Sequence, residues 1–76
     1  MNRFERLNEK VLQAHEDGDR STLVDVYDML GQEELAQGQV TSACFLLTQA
    51  YVYALESDDP RAPKIHKILK SHGREE

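Results

Sequence analysis

The residues that could carry chemistry are few: one cysteine, Cys44, three histidines, His15, His66 and His72, and the adjacent acid pairs Glu33/Glu34 and Asp58/Asp59. A thiolate nucleophile, an acid/base couple or a metal centre would have to be assembled from these. Their positions argue against it. Cys44 falls on an apolar stripe with Leu47 and Tyr51, where a cysteine behaves as a small buried hydrophobe. His66 and His72 are six residues apart and so lie on opposite sides of a helix, which argues against shared metal ligation. His15 follows Ala14 near a predicted helix end, where an imidazolium complements the helix dipole. Adjacent acids on a helix do not face each other and read as a solvated face or a cap. The Asp17-Gly18-Asp19 run is far too short for a calcium loop, and the sequence has no phosphate loop or dinucleotide fingerprint. The expectation is a non-enzymatic protein with no catalytic residue, no metal site and no cofactor.

Composition narrows the class further. Seventy-six residues suit one domain, 1–76, with a thin core. A lone cysteine, without a Cys/His pair at zinc spacing, points to a reduced, cytoplasmic setting. The opening Met-Asn-Arg-Phe-Glu-Arg turns polar at once, unlike a signal peptide, and no apolar run approaches a membrane span. A formal charge of −5 disfavours general nucleic-acid binding. The charge is also segregated. Residues 21–60 carry acids (Asp25, Asp28, Glu33, Glu34, Glu56, Asp58, Asp59) without one Lys or Arg, whereas Arg61, Lys64, Lys67, Lys70 and Arg74 follow without an acid.

The elements that must position these residues are helices. Phe4, Leu7, Val11, Leu12 and Ala14 recur at helical steps and predict a helix over about residues 2–17, closed by Gly18. Asp19 then caps a second helix, about 20–37, with Leu23, Val26, Tyr27, Leu30 and Leu35 as its stripe and Gly38 at its end. A third helix, about 40–56, runs through Val40, Ala43, Cys44, Leu47, Ala50, Tyr51, Ala54 and Leu55. A fourth, about 61–72, carries Ile65, Ile68 and Leu69; Pro63 disfavours a helical Ala62 and argues for a later start. No segment alternates as a strand would. Breaks near 18, 38 and 58 and short turns predict an all-α fold of four antiparallel helices, either a stack of hairpins or a closed four-helix bundle.

Between these, the middle of the chain favours the stack. Tyr27, Leu30, Gly31, Gly38, Val40, Ala43, Leu47 and Ala50 resemble one tetratricopeptide repeat over residues 24–56: an aromatic, Leu-Gly on the first helix, a turn glycine and small alanines on the second. The packing logic puts Gly31 and Ala43 where the two helices cross, with Leu30, Leu47 and Tyr27 around them. The chain departs from the repeat at Glu34, where an aromatic is usual, and at Leu55, where a proline is usual.

Three surfaces are candidates for contact with a partner. On the third helix Phe45 and Val52 point away from the stripe, with Tyr53 and Leu46 on its flank, which suggests a self-association surface of Phe45, Val52 and Tyr53 and a possible homodimer. The repeat resemblance implies a groove walled by Asp25, Asp28 and Gln32, acidic and so suited to a basic peptide segment rather than to a terminal carboxylate. The alternative is a regulator touching nucleic acid or an anionic surface through the basic face of Arg61, Lys64, Lys67, Lys70 and Arg74. The leading expectation is a protein-interaction or assembly module whose partner is another protein.

Overall fold

The computed structural model describes residues 2–73. They form four α-helices, α1 (Arg3–Asp17), α2 (Arg20–Ala36), α3 (Val40–Glu56) and α4 (Ala62–Ser71), and no strand. Local chemistry starts α1 and α2. Asn2 Oδ1 accepts the Glu5 N–H at 2.8 Å, and Asp19 accepts the Thr22 N–H at 3.1 Å and the Thr22 hydroxyl at 2.6 Å. These bonds satisfy donors that the first turn of a helix leaves open.

The three turns are one structure used three times. Residues 18, 38 and 58 each take left-handed backbone, with φ of 68° at Gly18, 77° at Gly38 and 56° at Asp58. In each turn the next N–H reaches back to a carbonyl five residues earlier: Asp19 to Ala14 at 2.8 Å, Gln39 to Glu34 at 2.9 Å and Asp59 to Ala54 at 2.8 Å. This is the helix-ending motif that consumes orphan carbonyls, and glycine enters its left-handed position most cheaply. Asp58 occupies the third with an L side chain, which aspartate tolerates better than most residues. The turns therefore repeat every 20 residues.

The start of α4 departs from expectation. Ala62 is helical and buried, with Pro63 in the first turn, where its missing N–H leaves no helical bond unmade. Burial of Ala62 in the core holds the conformation that a following proline disfavours.

Packing runs in chain order: α2 on α3 most extensively, with α1 on α2 and α4 on α3. Among the described residues no comparable α1–α4 interface closes the helices into a ring, and the molecule is a slab of 34 × 28 × 14 Å. The core lies between α2, α3 and α4, built from Val24, Cys44, Leu47, Ala50, Ala54, Ala62, Ile65 and Leu69. Val24 lies off the stripe expected for α2. This helix is buried on two sides, with Val26 and Leu30 toward α1 and Val24 and Gly31 toward α3. At the α2–α3 crossing an added Cβ on Gly31 would lie 2.6 Å from Leu47 Cγ and 3.4 Å from the Ala43 carbonyl oxygen. The backbones meet there because neither Gly31 nor Ala43 has bulk to hold them apart. The first helix is peripheral: Ala14 is its buried residue, and Phe4 and Leu12, expected on its core stripe, are 78% and 55% exposed. Among the described residues no helix is long and apolar enough to cross a membrane.

Candidate functional site

The third helix is apolar nearly all the way round, and its neighbours cover only part of it. Ala43, Leu47 and Ala50 are buried in the crossing with α2, and Tyr51 stacks on His66 of α4 with ring centroids 5.3 Å apart. Tyr53 does not join the outward pair. It stacks on Tyr27 at 5.9 Å and meets the edge of His15 at 5.8 Å, so it ties α3 to α2 and α1 within one chain. Burial, and then the neighbouring Tyr53, push the Tyr27 hydroxyl above its usual pKa. The His15 ring near the end of α1 is thus held by an aromatic contact with α3.

Phe45 and Val52 remain outside, 66% and 45% exposed, and Leu55 joins them at 56%. With Thr41 and Thr48 they form a row at steps of four, three, four and three residues along α3. That is the spacing of a helix-packing seam. The row has no charged member, and the Thr48 hydroxyl is satisfied by the Cys44 carbonyl at 2.7 Å, so it needs no polar partner outside the helix. A shallow depression of about 440 Å³ opens beside Phe45, lined by Thr41, Cys44, Phe45, Thr48 and Gln49. Cys44 itself is buried, in the packing position expected for it.

A second apolar surface lies between α1 and α2. A groove of about 580 Å³ runs past Phe4, Leu7, Val11, Val26, Tyr27 and Leu30, and the Arg3–Glu33 ion pair at 2.6 Å straps its end.

The charged surfaces are tied to the fold in part. Asp25, expected on a groove wall, pairs with Arg61, expected on the basic face. Arg61 also grips Asp59, Nη2 to Oδ2 at 2.7 Å and Nε to Oδ1 at 2.9 Å, and its backbone N–H meets Asp59 Oδ1 at 2.9 Å. Asp28 is half-buried and accepts from Gln32 at 3.3 Å. The acidic wall and the basic face are therefore joined by a clamp between the start of α4 and α2, which leaves Lys64, Lys67 and Lys70 exposed. Arg74 lies outside the described residues.

This clamp has a pH signature. Bonds from the Arg61 guanidinium, and next from its backbone N–H, hold the Asp59 carboxyl at about 2; the same bonds to Asp59, followed by those to Asp25, raise Arg61. A carboxyl with a lowered folded pKa stabilises the fold above its unfolded value, near ~4, and loses that contribution as pH falls toward about 2. Thermal melts from pH 5 to pH 2 are expected to fall more steeply for the parent than for Asp59→Asn. Parallel slopes in the two proteins would show that the clamp contributes nothing to acid sensitivity.

No protein-family model, no curated protein and no solved structure matches this chain.

Proposed function

We propose that this chain is a protein-interaction module built as tetratricopeptide-like hairpins, without catalytic activity of its own, and that it docks its partner on the solvent face of α3. The close approach of α2 and α3 at Gly31 and Ala43 supports the repeat resemblance, since it is there that the repeat uses small residues. The observation that carries the function is the uncharged row of Phe45, Val52 and Leu55, exposed and aligned along one helix. Contiguity matters here: single exposed apolar residues are ordinary, whereas an aligned row of them marks a contact surface.

Photo-crosslinking tests the reading. A photoreactive residue placed at Thr48 is expected to give a discrete covalent adduct with protein, lost when Phe45→Asp is added, whereas one placed at Glu9 on exposed α1 gives none. Equal labelling from both positions, or none from Thr48, would move the docking face elsewhere.

A further inference from the structure

We infer that the partner docked on α3 is an amphipathic helix with an acidic flank: its apolar stripe lies along Phe45, Val52 and Leu55, and its carboxylates meet Lys70 and Lys67 of α4. This rests on α3 as the docking face and adds the chemistry of the partner. The lysines lie beside the row because of how α4 sits on α3. Tyr51 neighbours both Thr48 and Leu55 on the helix surface, at steps of three and four residues, and it stacks on His66 of α4 at 5.3 Å. The α3–α4 joint has α2 on one side, where Val24, Leu47, Ala54, Ile65 and Leu69 are buried together. The half-buried Tyr51–His66 pair therefore opens on the other side, toward the row. Lys70 stands one turn on from His66, and Lys67 and Lys64 follow it at steps of three, round the face opposite Ile65 and Leu69.

The four-three spacing of the row accepts a covering helix of many sequences, and charge selects among them. The row's own helix carries a single charged residue, Glu56 at its C-terminal end, already paired with Arg20 at 3.6 Å. On α4 the three lysines are exposed, and among the described residues none of them pairs with a carboxylate, whereas Arg3, Arg20 and Arg61 each do. From Pro60 to Gly73 the chain has no acid with which to neutralise them. A protein with a formal charge of −5 thus keeps three unpaired cations together on the helix that walls its apolar row. Facing carboxylates neutralise this strip and fix the partner's rotation on the row, which apolar contact alone leaves open. The lysines have no Phe, Tyr or Trp among them for base stacking, and the net charge repels an extended polyanion, so a short acidic flank suits them better than nucleic acid.

The fold also says where the acids belong. Helix α4 returns along α3 after a short turn, so Lys70 lies further toward the N-terminal end of α3 than the Tyr51–His66 pair, and away from Glu56. The partner's acids are therefore expected beside Phe45 and Thr48, with the Val52–Leu55 end of the stripe clear of them. Exposed ion pairs contribute little each, so the row holds the partner and the lysines choose it.

Two synthetic helical peptides are the probes, identical in a leucine stripe at four-three spacing, one with glutamates on a single flank and the other with lysines there. By fluorescence anisotropy at low salt the glutamate peptide is expected to bind about 10-fold or more tighter, against the trend that a net charge of −5 alone would set. The preference shrinks as salt is added. Lys67→Glu combined with Lys70→Glu reverses it, while Phe45→Asp weakens both peptides by about 30-fold or more with the helical circular dichroism spectrum retained. Should Phe45→Asp unfold, Val52→Asp decides by the same readout. Tighter binding of the lysine peptide, or a preference that the lysine reversals leave unchanged, overturns the acidic flank. Binding of the glutamate peptide, or of an oligothymidylate, that the reversals abolish and Phe45→Asp leaves intact puts an anion on α4 alone and overturns the shared surface. Binding of neither peptide overturns the helical partner; with adducts from the photoreactive residue at Thr48, the docking face itself survives. A parent protein that sediments as a dimer, broken by Phe45→Asp, places a second copy on the row instead.

Discussion

Leu47→Ala is expected to lower the free energy of unfolding by about 2–5 kcal/mol, measured by urea titration with an unchanged slope. Leu47 is fully buried at the α2–α3 crossing, and its neighbours on α3 are Ala43, Ala50 and Ala54. Alanines have no rotamers with which to fill the space, so the cavity persists and the cost belongs toward the upper part of that range. Gly31 supplies the internal check. Alone, Gly31→Ala drives its Cβ into Leu47 Cγ and Cδ2, at 2.6 and 2.7 Å, and the overpacking outweighs the gain of up to about 1 kcal/mol in helix propensity. In the Leu47→Ala background those atoms are gone, and the same substitution is expected to stabilise. Additive energies in this double-mutant cycle would separate the two residues.

Ala43→Leu is the second large effect. Ala43 is fully buried, and its carbonyl oxygen faces Gly31 across the crossing. Three extra carbons cannot enter without separating the helices, at about 1–3 kcal/mol. In a domain of this size each kcal/mol lowers the melting temperature by about 4–8 °C. A melting temperature equal to the parent's would take Ala43 out of the crossing and with it the alignment to a tetratricopeptide repeat.

Helix number and limits were legible because they are local properties. Gly18, Gly38 and the Asp19 cap announce themselves in sequence, and the α4 start was uncertain because its one exception, a helical Ala62 before Pro63, is held by tertiary burial. The site was less legible. The outward direction of Phe45 and Val52 follows from helical angle alone, and extending that angle would have found Thr41, Thr48 and Leu55. What periodicity cannot supply is which flank a neighbour covers. Tyr53 was drawn inward by Tyr27 and His15, Leu55 was left outside, and Val24 was buried because α2 has partners on two sides. The pairing of Asp25 with Arg61 joins residues 36 apart and ties one member of each charged surface read from the sequence to the other, which a local reading does not foresee.

Packing between sequence neighbours also governs how fast the structure can form. Each helix closes mainly onto the one before or after it, so the loops that ordering must close are short and the chain has the low contact order of fast-folding helical proteins. Relaxation in microseconds to milliseconds is expected, with the α2–α3 hairpin as nucleus, since it holds the most extensive interface. With Ala14 as its buried anchor, α1 is expected to open before the rest, and its amides to exchange with deuterium ahead of those of α2 and α3.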